Sequence, residues 1–393
     1  MPVINRFSEF HPEIVEWRKD FHAHPELLFD VHRTAAKVAE KLREFGVDEV
    51  VEGIGRTGVV GIIKGRQTAS NKVVGLRADM DALPIQEIKD HDYKSKNDGV
   101  MHACGHDGHT AMLLGAAKYL ADTRNFDGTI AVIFQPAEEG GGGGREMVED
   151  GMMDRFGIQQ VFGMHNMPGM PVGHFSIREG GQLASVDFFS IAIEGRGGHA
   201  ARPQECIDPA IVISQLIPAF QTIVSRNAHP LEGTVVSVTQ IHMGHANNVI
   251  PQTATMAGTV RTLTAETRDL VQQRMTTICE NMAQVYGCNI GLDYKRLYPV
   301  TVNHPQETAF AASIARDIVG PDSVNENGRP TMGGEDFAFM LEERPGAFIF
   351  VGQGDSAGLH HPEYDFNDDI IPIGCSYWVK LAETAMPLPS SGS

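Results

Sequence analysis

Apolar residues recur at three- and four-residue spacing through Thr34–Phe45, where Ala35, Val38, Ala39, Leu42 and Phe45 share one face and Gly46 follows as a stop. That spacing predicts a helix. Further helices are predicted over Glu13–Phe21, Thr110–Thr123, Pro209–Val224, Ala265–Tyr286, Thr308–Val319 and Ile373–Thr384. Short runs rich in Val, Ile and Phe predict strands at Gly58–Lys64, Lys72–Leu76, Thr129–Phe134, Val161–Asn166 and Phe348–Val351. Strands and helices alternate, which is the order of an open α/β sheet. From about Asp187 the pattern changes. Strands at Phe188–Glu194, Thr234–Met243, Thr253–Leu263 and Ile290–Leu297 enclose two helices in the order β-α-β-β-α-β, a ferredoxin-like unit. The predicted organisation is an α/β domain over 1–186, an inserted α+β domain over 187–299 and the rest of the first domain over 300–386. The Pro/Ser/Gly-rich end, 387–393, is predicted to be a disordered tail.

Residues of metal-ligand type gather where the predicted strands end. The strand at Lys72–Leu76 runs on to Asp79 and Asp81, and Thr129–Phe134 delivers Glu138 and Glu139 ahead of a glycine run to Gly144. The strand at Val161–Asn166 carries His165. In open α/β sheets, binding sites lie at these carboxyl ends. Between the first two sits Met101-His102-Ala103-Cys104-Gly105-His106-Asp107-Gly108-His109, with Cys104 and His106 one residue apart. Thiolate and imidazole suit zinc, manganese, cobalt or nickel. A single loop histidine ordinarily fills a hydrogen bond; ligand types at three successive strand ends favour a metal site. Of two adjacent glutamates leaving a turn, one can bind metal while the other faces substrate as a base. The glycines let backbone approach a ligand and form no phosphate loop, because no Gly-Lys-Ser/Thr follows. His22 and His24 could be ligands or orienting groups, but their place beside Pro25 favours loop-fixing residues. In the insert, His199 stands on a Gly-rich loop, and Asn248 and Arg261 offer donors suited to a carboxylate. The late stretch Leu359-His360-His361-Pro362 returns imidazoles.

A length of 393 residues favours two domains. The net charge of −18, from 32 basic and 50 acidic residues, argues against nucleic acid or an anionic membrane as partner. Met1–Asp20 lacks the apolar stretch of a signal peptide, and five scattered cysteines point to a reducing cytoplasm without a disulfide framework.

Seven motifs in order, "MHACGHDGHTAML", "FQPAEEGGGG", "GMHN", "GGHAARP", "NVIP", "GGEDF" and "LHHPEYDFND", resemble those of the aminoacylase/carboxypeptidase metallohydrolases. The branch is that of hippurate hydrolase, bacterial N-acyl-amino-acid amidohydrolases and plant auxin-conjugate hydrolases. The resemblance implies a two-metal peptidase-like α/β domain with a mixed sheet and an inserted ferredoxin-like lid domain that dimerises. It implies two divalent ions per subunit (Mn, Zn, Co or Ni) on Cys104, His106, Glu139, His165 and His360, with Glu138 as base and Asp81 as an orienting group. His199 would stabilise the oxyanion, in its own subunit or across a dimer, and Asn248 and Arg261 would hold the carboxylate of the amino acid. The implied partners are a small N-acyl amino acid and further copies of the chain, as a homodimer or homotetramer. Close alternatives are a dipeptidase or carboxypeptidase and a deacetylase of N-acetyl diamino acids. A remote one is a non-catalytic metal-binding scaffold, which would have no need of Glu138. The chain departs from the wider family at Asp79, where other branches have histidine, so contact between Asp79 and metal stays open. It departs again at His361, where Asn or Ser is frequent.

Overall fold

The computed structural model describes residues 3–389; residues 390–393 of the predicted tail lie outside them, and 387–389 form neither helix nor strand. In chain order the principal elements are α1 (Arg6–Ala23), α2 (His32–Glu44), β1 (Glu49–Ile54), β2 (Gly58–Lys64), β3 (Val73–Asp79), α3 (His106–Thr123), β4 (Thr129–Gln135), α4 (Gly143–Glu149) and β5 (Gln160–Pro168). Then come β6 (Val186–Glu194), α5 (Pro209–Thr222), β7 (Thr234–Met243), β8 (Thr253–Thr262), α6 (Ala265–Tyr286) and β9 (Asn289–Tyr298). The chain closes with α7 (Pro305–Val319), β10 (Gly346–Gly354) and α8 (Ile371–Ala385). These elements form two compact units. The first runs to Gly180, resumes over Val302–Arg329 and continues from Asp336. The second comprises Gly181–Thr301 and the short return Pro330–Glu335, a return that no sequence pattern announces.

The first unit is built on an eight-stranded mixed sheet of order β1-β2-β4-β3-β5-β10, extended by the short strands Phe175–Ser176 and Val324–Asn325. β3 runs parallel to β4 and β5, and β10 parallel to β5, whereas β1 and β2 pair antiparallel. The central strands are buried almost throughout. This is why they read as continuous apolar runs and not as alternation. α3 packs against α1, α2 and α8 and is buried from His106 to Ala117 without interruption. Its small residues allow that approach. A Cβ on Gly115 would stand 2.6 Å from Ile14 Cδ1, and one on Gly108 would stand 2.2 Å from Phe366.

α3 begins at His106, a full turn before the predicted Thr110. Gly105 takes φ +90°, and a Cβ there would lie 2.2 Å from Asn166 Oδ1, so glycine is required at the bend that turns the Cys104 loop into the helix.

In the second unit an antiparallel sheet of order β7-β8-β6-β9 carries α5 between β6 and β7 and α6 between β8 and β9, the ferredoxin-like arrangement. β6 alternates buried and exposed positions. Its buried set, Phe189, Ile191 and Ile193, joins Leu216 and Phe220 of α5 and Met275 of α6 in a separate core. Both helices start on side-chain caps: the Asp208 carboxylate accepts the Ala210 N–H and the Thr264 hydroxyl accepts the Thr267 N–H.

Candidate metal centre and active site

Parallel pairing aligns the carboxyl ends of β3, β4 and β5. Asp79 stands in register with Gln135, and Arg77 with Gly163, two residues before His165. The Glu138–Glu139 turn follows β4 directly. Asp81 holds that turn: its two carboxylate oxygens accept the backbone N–H groups of Glu138 and Glu139, each at 3.0 Å. The Asp81 carbonyl also accepts His106 Nδ1–H at 2.8 Å. One buried residue thereby sets the base candidate, a ligand candidate and an imidazole. His165 Nδ1–H donates to the Asn166 carbonyl at 2.6 Å. These bonds fix the tautomers, so both rings turn an Nε2 lone pair inward.

Cys104 Sγ lies 3.4 Å from His165 Nε2, and His360 Nε2 lies 3.2 Å from Glu139 Oε1. His106 Nε2 is 4.0 Å from Glu139 Oε1 and 3.7 Å from Asp79 Oδ2. The donors of Cys104, His106 and His165 lie within 4.8 Å of one another, as do those of Cys104, Glu139 and His360 and those of His106, Glu138 and Glu139. The sets overlap, and Cys104 belongs to two of them. His106 Nε2 is buried without a hydrogen-bond partner among the described residues, and Glu139 Oε1 has the His360 ring beside it. An orphaned buried polar atom costs about 1–3 kcal/mol, and here it lies among the other donors. Soft sulfur, borderline nitrogen and hard carboxylate oxygen around common points fit divalent first-row ions. Burial and the nearby Glu139 and Glu138 carboxylates push the Cys104 thiol well up. Burial disfavours a charged His106, but Asp79, Asp81 and Glu139 outweigh it and raise its pKa to about 10. The cluster thus favours positive charge, which bound cations would supply.

Asp79 is committed elsewhere as well. Its Oδ1 accepts His109 Nδ1–H at 2.7 Å and its Oδ2 accepts Arg77 Nη1–H at 2.8 Å. Buried Arg77 also donates to Gln135 Oε1 at 2.9 Å and to Asp336 Oδ1 at 3.0 Å. Asp336 Oδ2 in turn accepts the Gly144 N–H at 2.8 Å. Nothing in the sequence gives this network a role; its signals are Asp79 at a strand end and Asp336 within its Gly-Gly-Glu-Asp-Phe stretch. It ties the strand ends to the glycine run.

That run turns the chain back on itself. Gly140 and Gly142 take φ of +94° and +72°, and a Cβ on Gly143 would sit 1.8 Å from the Pro136 carbonyl oxygen. Gly143→Ala is therefore expected to displace the turn carrying Glu138 and Glu139. A misplacement of about 1 Å costs on the order of 10²-fold in rate. Steady-state kinetics at saturating metal check this; unchanged kcat would show that the turn tolerates the shift.

His360 takes φ 62° and its N–H donates to the Ala103 carbonyl at 2.7 Å, which binds its loop to the Cys104 loop. The neighbouring His361 uses its Nδ1 to accept the Glu363 N–H at 3.1 Å. His199, Asn248 and Arg261 belong to the second unit. His199 pairs with Val249 in a two-stranded ribbon, and the Asn248 carbonyl accepts the Ala200 N–H at 3.0 Å, so these two are neighbours. Arg261 stands on β8 eight residues beyond Thr253, about 26 Å along an extended strand. Burial lowers its pKa, and its guanidinium bonds the Thr259 hydroxyl and the Val260 carbonyl.

Overlapping thiol, imidazole and carboxylate donors at the strand ends of an α/β sheet, with a second glutamate beside them, define a metal-dependent hydrolase. A sequence profile of Peptidase family M20/M25/M40 matches residues 75–384, and the chain belongs to that family. It is 44% identical to a hippurate hydrolase of Campylobacter jejuni over 97% of this chain and 99% of that protein. It is 40% identical to an N-acetylcysteine deacetylase of Bacillus subtilis over 95% and 97%. Its structure is similar to that of a dinuclear metal binding peptidase of the M20 family from Bacillus subtilis, with a TM-score of 0.85 and 35% identity over 96% of this chain and 99% of that one.

Proposed function

We propose that the protein hydrolyses the amide bond of N-acyl amino acids of the hippurate type, releasing a carboxylic acid and a free amino acid. The observation that carries this reading is the Glu138–Glu139 pair, both held by Asp81, beside overlapping donor sets. Cys104, His106, Glu139, His165 and His360 would hold two divalent ions, for which zinc, manganese, cobalt and nickel all suit the donors. Such ions, when bound, supply Lewis-acid polarisation of the carbonyl and make water a nucleophile at neutral pH. Glu138 takes the proton of the attacking water and passes it to the departing amine nitrogen as the C–N bond breaks. Asp81 keeps Glu138 in place without exchanging protons itself. The motif resemblance gives His199 the oxyanion and Asn248 and Arg261 the substrate carboxylate. It also makes the second unit a lid that joins copies of the chain into a homodimer or homotetramer, and the cysteine pattern suits a cytoplasmic location.

A second reading, deacetylation of short N-acetyl amino acids, draws on the deacetylase relative. Rates on hippurate, N-acetyl amino acids and dipeptides separate these readings, and faster cleavage of dipeptides than of either N-acyl class would displace both. On the preferred class, Arg261→Ala should raise KM about tenfold or more for acids while leaving KM for the corresponding amides nearly unchanged, the loss of a charged hydrogen bond being about 1.5–3 kcal/mol. Equal effects on acids and amides would remove Arg261 from carboxylate recognition.

A further inference from the structure

One residue after His106, Asp107 faces a different set of donors. His22, in the last turn of α1, donates Nδ1–H to Asp107 Oδ2 at 2.8 Å. Its other ring nitrogen, Nε2, lies 3.2 Å from Glu87 Oε1, and His91 Nε2 lies 2.9 Å from that same oxygen. Glu87 is fixed because its second oxygen accepts the Ser95 N–H at 2.7 Å. The His91 ring stacks on Tyr93 at 3.9 Å, and apart from that approach to Glu87 its nitrogens have no hydrogen-bond partner among the described residues. His22 and Glu87 are buried, and the His91 side chain is only 12% exposed.

We propose that His22, Glu87 and His91 form a further divalent-metal site, separate from the catalytic cluster and suited to zinc. Their donor atoms lie within 4.8 Å of one another. Zinc bonds of 2.0–2.2 Å in a tetrahedron separate donors by about 3.3–3.5 Å, and the distances of 2.9 and 3.2 Å to the shared Glu87 oxygen need to open by only a few tenths. Asp107 supplies the carboxylate that orients a metal-binding imidazole: it fixes the proton on Nδ1 and leaves the Nε2 lone pair for the ion. The Glu87 carboxylate opposes the double positive charge, with Asp107 behind His22 adding its own negative charge while also facing buried Arg18 at 3.9 Å. His91 also lines an open surface pocket of about 630 Å³, which gives an ion a route in and water a place to complete four-coordination. The set contains no thiol, unlike the catalytic cluster.

Without a metal, a proton does the same electrostatic work. Burial opposes charge on His22, but Asp107 and Glu87 raise its pKa to about 9. Zinc would displace that proton and bind the end of α1 and the Glu87–His91 segment to the first turn of α3, one residue from His106. The site is thus a brace for the catalytic loop.

The test is metal counting. Wild type, His91→Ala and Glu87→Gln are loaded with zinc, dialysed, and measured by mass spectrometry for zinc per chain. Wild type is expected to hold one ion more than either variant. Equal zinc in wild type and a folded variant overturns the proposal and leaves the proton in possession of the site. Glu87→Gln keeps the shape of the side chain, so the comparison survives misfolding of His91→Ala, which circular dichroism detects. Because the readout is a difference, failure of the two-ion reading of the catalytic cluster would lower all three totals and leave the difference unchanged.

Discussion

Glu138→Gln is expected to bind as much metal as wild type and to lose hydrolysis by on the order of 10²–10⁴-fold, the range a positioned general base supplies. The side chain keeps its shape, and the backbone N–H that Asp81 holds is untouched. What disappears is the lone pair that takes a proton from water and the acid that returns it to nitrogen. Without that return the amine must leave as an anion, so kcat is expected to fall more than KM rises. Metal analysis and steady-state kinetics on the same preparation decide the matter. Retained turnover would take the proton shuttle away from Glu138. Lost metal together with lost turnover would place Glu138 among the ligands, where its spacing to His106 and Glu139 also puts it within reach.

Metal removal is expected to have the larger effect. Chelation should abolish hydrolysis, and addition of Mn²⁺, Zn²⁺, Co²⁺ or Ni²⁺ should restore it. Removal should also lower the melting temperature. An ion that binds only the folded state stabilises it by about 2.7 kcal/mol at a hundred times its Kd, and removing it returns charge repulsion among Asp79, Glu138 and Glu139 to the cluster. The restored rate will depend on pH, since an incoming ion must displace protons from the raised Cys104 thiol and from His106. Full activity in chelator, checked by residual metal content, would overturn the two-ion reading as a whole.

The convergence of ligand-type residues is legible because they fall at strand ends, and strand ends in a parallel sheet converge. Asp79, Glu139 and His165 are far apart in sequence, yet β3, β4 and β5 are neighbours. The ferredoxin-like order was legible for a related reason: alternation on β6 and long periodic helices mark its elements one by one. Four features are hidden. β1 leaves no strand pattern because Glu49, Glu52 and Gly53 break its apolar run, as an exposed edge strand permits. The sequence pattern starts α1 at Glu13, after Pro12, whereas the helix begins at Arg6; buried Phe7 and Ile14 hold both sides of the proline against the core. The early start of α3 was hidden because its first turn is polar, and only Gly105 with Asn166 behind it fixes where the helix begins. The network of Arg77 with Asp79, Gln135 and Asp336 lay beyond reach because long-range pairing of a buried cation leaves no periodic trace.

Asp81 gives the centre a mechanical property. Glu138, Glu139 and His106 are each hung from the same residue, two from its carboxylate and one from its carbonyl. Thermal displacement of that residue carries all three the same way, so their positional errors are correlated and largely cancel in the distances between them. A proton transfer is sensitive to those relative distances and indifferent to a common drift. The spacing of the three groups is therefore tied to three hydrogen bonds of 2.8, 3.0 and 3.0 Å to a single residue.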